Sequence, residues 1–244
     1  MKSILIFVIV ISGLSNYSFG QSNFDSDVIP TSSGDLKITC IGHGSLMFEI
    51  NNLVIDVDPW SRVADYKQLP KADIILITHH HGDHLDKSAI NDISKGGTEL
   101  YLTSLCKDQL EKGTVMANGD KKSIKGITIE AVPAYNLVHM NNEGKPFHEK
   151  GACNGYVITF GDKKVYVAGD TEVIPEMKNL KEIDVAFLPM NLPYTMTPEM
   201  VSEAVKMFNP KIVYPYHYGD KADTEKLVKL LANDKNTEVR VRKF

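Results

Sequence analysis

The sequence predicts an α/β domain in which two β-sheets pack on each other beneath helices. Three observations carry that expectation. Strand-like runs meander from residue 36, they then alternate with helix-like segments, and this progression occurs twice along the chain. Of the 244 residues, 43% are apolar and 24% charged, which is soluble globular composition and too charged for a polytopic membrane protein. A formal net charge of −4 lacks the electrostatic footprint of non-specific nucleic-acid binders, so no nucleic-acid partner is expected. No repeat, linker or low-complexity stretch divides the chain, and 35–244 reads as one domain.

Runs at 36–41, 45–50 and 53–56 read as three strands in close succession. Gly42-His43-Gly44 and Asn51-Asn52 are their turns, the second pair suiting a two-residue hairpin. Residues 74–77, Ile-Ile-Leu-Ile, have the unbroken apolar pattern of a strand buried on both faces. Helices at 87–94 and 104–112 flank a strand at 99–103. The second progression opens with strands at 127–132, 156–160 and 165–168, the last two turning at Gly161-Asp162. A strand at 185–188 precedes a helix from Pro198 to Phe208, with Thr197 as its cap. A strand at 212–214, a helix at 224–231 and a strand at 238–241 complete the chain.

Residues 1–20 read as a secretory signal peptide. Lys2 supplies a basic start, 4–11 an unbroken apolar run, and Ser18 and Gly20 the small residues before a cut at Gln21. The run is well short of the roughly 20 residues a spanning helix needs, so no stable membrane insertion is expected after cleavage. The expected location is periplasmic or secreted. Residues 21–34 are polar and turn-rich and read as a flexible leader. An oxidising exterior allows Cys40, Cys106 and Cys153 to pair, while their odd number predicts at least one free thiol or an intermolecular bridge. A homo-oligomer stays open on the sequence alone.

Chemistry concentrates just after the buried strand, in Thr78-His79-His80-His81-Gly82-Asp83-His84, which holds four of the eight histidines. Imidazole and carboxylate suit Zn²⁺ and neighbouring divalent metals. Strand-like alternation aims His79 and His81 at one ion and turns His80 away. Gly82 frees the backbone to bring Asp83 and His84 to a second ion.

This segment is similar to the signature of the metallo-β-lactamase superfamily of metal-dependent hydrolases, and the similarity runs on to the C-terminus. Asp56-Val57-Asp58-Pro59 resembles the family's strand-ending Asp-Pro. Gly169-Asp170-Thr171 resembles the segment whose Asp bridges two metals, and Pro215-Tyr216-His217-Tyr218-Gly219 resembles the final metal-binding His loop. Tyr166, 184–189 and 194–196 resemble the branch of ascorbate-phosphate lactonase-like proteins and of relatives of the phospholipase D that cleaves N-acylethanolamine phospholipids. The resemblance implies a four-layer αββα sandwich with the metals at one edge between the sheets. It implies two divalent ions, Zn²⁺ foremost, with Mn²⁺, Ni²⁺ or Fe²⁺ as alternatives.

By the same resemblance His79 and His81 bind the first metal, Asp83, His84 and His217 the second, and Asp170 bridges them. The first metal's third ligand departs from the family pattern. Asn136, in Pro133-Ala134-Tyr135-Asn136, stands where much of the superfamily has His, and an amide is a poor zinc ligand. His148 is the preferred replacement, because 146–151 resembles a His-Pro-Lys-Gly segment that accompanies Ala-Tyr-Asn in one sub-branch. His139, or no replacement at all, are the alternatives. Asp58 is expected to hold a ligand imidazole in its tautomer. Tyr194 and Tyr135 are candidates to hydrogen-bond a substrate oxygen, and His43 either bonds near the site or only shapes its turn.

The implied activity is that of an exported hydrolase acting on a small-molecule substrate. A metal-bound hydroxide would cleave an ester, lactone or phosphodiester, with Asp83 as the catalytic residue that orients it and takes its proton. Gly169-Asp170 argues against a secreted β-lactamase, which uses Cys or no residue at the bridging place. His81 in place of Glu argues against flavodiiron chemistry, and the chain has neither room nor charge for an RNA-processing arm. A true β-lactamase, and a degenerate metal-binding protein without activity, stand as the competing readings.

Overall fold

Hairpin chemistry builds the first sheet. In the structure, a computed structural model that describes residues 24–244, β1 (Asp25–Thr31), β2 (Gly34–Gly42), β3 (Ser45–Ile50) and β4 (Leu53–Val57) form an antiparallel meander. Asn51 and Asn52 lie at φ 48° and 64°, the left-handed pair that a type I′ turn requires. β5 (Ile74–Leu76), β6 (Glu99–Leu102) and β7 (Thr114–Val115) then add in parallel, with α1 (Lys87–Ile93) and α2 (Ser104–Leu110) as crossovers. The second sheet repeats the plan. β8 (Lys121–Ile124), β9 (Ile127–Ala134), β10 (Cys153–Phe160) and β11 (Lys163–Val167) run antiparallel. β12 (Val185–Pro189), β13 (Ile212–Tyr216) and β14 (Glu238–Val239) follow in parallel, with α3 (Pro198–Phe208) and α4 (Lys221–Leu230) between them.

Ile38, Phe48 and Ile55 of the first sheet meet Ile129, Phe160 and Phe187 of the second in a buried core. The Phe48 ring lies 5.9 Å from Phe160 and 6.1 Å from Phe187. Each such buried side chain contributes about 1.5–3 kcal/mol relative to exposure. α1 covers the outer face of the first sheet through Ala89, Ile90 and Ile93, and α3 covers the second through Val201, Ala204 and Val205. These layers form the expected αββα sandwich. Loops leaving β4, β5, β11, β12 and β13 emerge at the carboxyl ends of parallel strands, where α/β folds place their sites.

The leader expected over 21–34 is corrected from residue 25 onward, and the domain does not begin at 35. β1 is an edge strand paired with β2 from Asp25 opposite Cys40 to Thr31 opposite Gly34, and distant residues tie it down: Arg242 donates to the Asp27 carboxylate at 2.9 and 2.7 Å, and the Tyr214 hydroxyl donates to it at 2.8 Å. Cys40, Cys106 and Cys153 are all free and buried, so no pairing among them occurs. Burial pushes the Cys40 thiol up to about 12 and Cys106 to about 11. The signal-peptide expectation for 1–20 lies outside the described residues, among which no helix is long and apolar enough to cross a membrane.

Candidate metal centre

The loop after β5 is set by a buried carboxylate. Asp58 accepts the Thr78 N–H at 2.8 Å, the Thr78 hydroxyl at 2.5 Å and His84 Nδ1–H at 2.8 Å. Its proton given to Asp58, the Thr78 oxygen accepts His79 Nδ1–H at 3.0 Å. Both rings are thereby held with Nδ1 protonated and Nε2 carrying a lone pair. His79 Nε2 comes within 3.2 Å of His81 Nδ1, and His84 Nε2 within 3.1 Å of His217 Nε2. Lone pairs brought so close need a proton or a cation between them.

Asp170 enters from the loop after β11. Gly169 precedes it at φ 64°, and a Cβ there would sit 2.7 Å from the Asn154 carbonyl, so the close approach demands glycine. The Asp170 carboxylate is buried, 3.6 Å from His84 Nε2, 3.5 Å from His217 Nε2 and 3.4 Å from His148 Nε2. These are contacts, not hydrogen bonds, and Asp170 Oδ1, His148 Nε2 and His217 Nδ1 are buried without a partner. The His217 N–H donates to the His43 carbonyl at 3.0 Å, and His43 Nε2 meets Asp83 Oδ2 at 2.9 Å. His43 therefore bonds at the site. Asp58, His43 and His217 have φ of 47°, 53° and 51°, and each such non-glycine residue stores about 1–3 kcal/mol of the strain that gathers at functional sites.

His148 arrives on the loop between β9 and β10. Asn136 Oδ1 accepts the His148 N–H at 2.9 Å and its Nδ1–H at 2.7 Å, while Asn136 Nδ2 donates to the Tyr194 carbonyl at 2.9 Å. An amide that ligates zinc poorly thus fixes the tautomer of the imidazole beside it. His139 lies elsewhere: its ring and its N–H, the latter at 2.8 Å, bond to Glu172, a fully buried carboxylate that also accepts the Leu137 and Val138 N–H groups at 2.6 Å each. Donor atoms of His79, His81 and His148 lie within 4.8 Å of one another; so do those of His79, His84 and Asp170, and those of His43, Asp83, His84 and His217. His80 belongs to none of these groups. The substrate contact expected of Tyr135 is corrected, because its hydroxyl donates to Glu176 at 2.8 Å with the Lys150 ammonium over its ring.

Electrostatics separates the donors. Burial pushes His148 down to about 4 and His79 well below its ordinary value. His84 goes the other way, to about 9: burial would lower it, but the charges of Asp170 and Asp58 outweigh burial. Burial would raise Asp83, yet the His217 imidazole 3.6 Å away and the hydrogen bond with His43 hold it far below the usual carboxylate range. Asp170 is likewise held low against burial by His217, His84 and His148. Ionised carboxylates among clustered imidazoles, with orphaned donor atoms between them, are a donor set that fits divalent cations.

A cavity of about 420 Å³ opens over His81, Asp83, His148, Asp170 and His217, and Phe147, Asn191 and Tyr194 wall its other side. Phe147, Asn191 and Glu172 were missed, and only Glu172, two residues beyond Asp170, carried a signal in its place in the motif. A cavity of about 450 Å³ on the outer face of the second sheet, against Tyr166 and Met177, contains none of these groups.

The description "Beta-lactamase superfamily domain" matches residues 37–217, a span that runs from β2 to His217 and contains every group named above. A UPF0173 metal-dependent hydrolase of Pelotomaculum thermopropionicum is 32% identical over 194 residues, covering 75% of this chain and 85% of that protein. The crystal structure of a Parabacteroides distasonis protein assigned as a metal-dependent hydrolase is 50% identical, with a TM-score of 0.86 over 91% of this chain and 99% of that one. Igni18, a metallo hydrolase of Ignicoccus hospitalis, is 26% identical with a TM-score of 0.71 over 85% and 95% of the two chains. The chain belongs to the metallo-β-lactamase superfamily, in its UPF0173 family of metal-dependent hydrolases.

Proposed function

We propose that the protein is exported and hydrolyses an ester, lactone or phosphodiester bond of a small molecule at a centre of two divalent ions, Zn²⁺ foremost. One observation carries this reading: the donors form two groups, His79, His81 and His148 on one side and Asp83, His84 and His217 on the other, with the orphaned Asp170 carboxylate reaching both. Divalent ions so held supply Lewis acidity and lower the pKa of water from 15.7 toward about 7. The protein's own groups do the rest. His43 engages Asp83 Oδ2, which leaves Oδ1 to orient the attacking water and accept its proton. The Asn191 amide and the Tyr194 hydroxyl, on the facing wall, are placed to donate to a substrate oxygen. Export is supported by Lys2, the apolar run at 4–11, and Ser18 and Gly20, and N-terminal sequencing of the exported protein should start at Gln21.

The test is turnover of a small ester, a lactone and bis-p-nitrophenyl phosphate by the zinc-loaded protein, with Asp83→Asn beside it. The variant is expected to lose about 10²–10⁴-fold in kcat while remaining folded. Inactivity of the parent toward all three substrates, or near-normal turnover by the variant, would defeat the reading.

A further inference from the structure

We propose that the substrate carries an apolar arm, an acyl or aryl chain beside the scissile bond, and that the loops at 136–148 and 191–195 receive it; the inference rests on the hydrolase reading above. Outside these two loops the exposed large apolar side chains are Val28, Leu105, Val115, Val228 and Leu230, spread over β1, α2, β7 and α4. On these two loops they gather: Leu137, Val138 and Met140 on one, Leu192 and Tyr194 on the other, with Val138 at 65% exposure. Concentrated apolar surface on a soluble domain marks a binding site. The Asn136 bond to the Tyr194 carbonyl joins the loops, and Phe147 packs edge-on to Tyr194 at 5.0 Å. Because Phe147 and Tyr194 also wall the cavity, the apolar surface runs into the site itself.

Two further observations favour an arm of this chemistry. The exposure of Leu137 and Val138 is imposed from inside, since the buried Glu172 carboxylate pins their backbone N–H groups and leaves the side chains outward. No Lys or Arg lines the cavity, so a sugar phosphate or nucleotide would find no side-chain cation for its charged portion there. In the step proposed, water adds to the acyl carbonyl and the bond from that carbon to the leaving oxygen breaks. The leaving oxygen takes the proton, giving a carboxylic acid and an alcohol.

The experiment compares kcat/KM of the zinc-loaded protein for p-nitrophenyl acetate, butyrate, hexanoate and octanoate, each divided by its uncatalysed rate. A rise of about fourfold per methylene is expected while the arm finds apolar surface. Leu137→Ser/Val138→Ser should flatten that rise, whereas Val28→Ser and Val115→Ser, exposed apolar positions on β1 and β7, should keep it. Calorimetry supplies a readout without turnover: hexylphosphonate should bind at least about tenfold more tightly than methylphosphonate. Equal rates along the series with acetate cleaved would overturn the apolar arm and leave the hydrolase standing. No cleavage of any ester, lactone or phosphodiester would overturn the hydrolase reading. Burial of the two loops in a stable dimer, or sedimentation with phosphatidylcholine vesicles lost in Leu137→Ser/Val138→Ser, would assign the surface to a different occupant and overturn the inference.

Discussion

The loop at 78–84 and the loop at 136–148 bring imidazoles to one centre by different means. In the first, the donors are sequence neighbours leaving a buried strand, and their restraints come from Asp58 and Thr78 through hydrogen bonds of 2.5 to 3.0 Å. In the second, His148 stands twelve positions beyond the Asn136 that orients it, and the start of the loop is pinned by Glu172, a residue of another loop. The first loop is part of the sandwich's interior. The second is a separate arm clipped to it. A change in the first should therefore damage fold and metal binding together, while a change in the second should damage binding alone.

Asp58→Ala is the largest expected effect. It strips a buried imidazole and the Thr78 N–H of their acceptor at once, and chemical denaturation should show a loss of about 3–5 kcal/mol. If Asp58→Ala cost no more stability than Asn136→Ala, the contrast between the two loops would fail. His148→Ala comes next: zinc affinity by chelator competition should weaken about 10–100-fold with little change in unfolding free energy. His139→Ala serves as its partner measurement and should leave zinc affinity nearly unchanged, because that ring bonds to Glu172 and not to the centre. Equal damage from both would mean that the arm is read wrongly.

The pH dependence sharpens the same contrast. Below about 9 a proton occupies the His84 ring that a metal needs, whereas His148, at about 4, is already free above pH 5. Metal binding should therefore release one proton from the first loop and none from the second. Zinc affinity should rise about tenfold per unit as pH climbs from about 6.5 toward 9, then level. A flat profile would remove His84 from the donors.

What could be read from the sequence follows the same division. α3 runs over Pro198–Phe208 as expected, because Thr197 caps it through the Met200 N–H and Pro198 fits its first turn, both local effects. The 78–84 segment was legible because its chemistry is contiguous. β1 was not, since Asp25, Ser26, Asp27 and Pro30 leave it no apolar alternation, and the residues that tie down Asp27 lie 187 and 215 positions away. β8 was missed because Lys121, Lys122 and Ser123 form an exposed edge strand with no apolar alternation. His148 was legible only through the resemblance of 146–151, because its gathering with His79 and His81 is set by Asn136 across an intervening loop and no periodicity connects them. Phe147 and Asn191 carried no pattern at all.

If the two loops complete two ion sites around Asp170, as proposed, the metal content of the protein reports it. Mass spectrometry of the parent and of His148→Ala, each equilibrated in chelator-buffered Zn²⁺, should give roughly two ions per chain and roughly one. Two ions retained in the variant, or one alone in the parent, would contradict it.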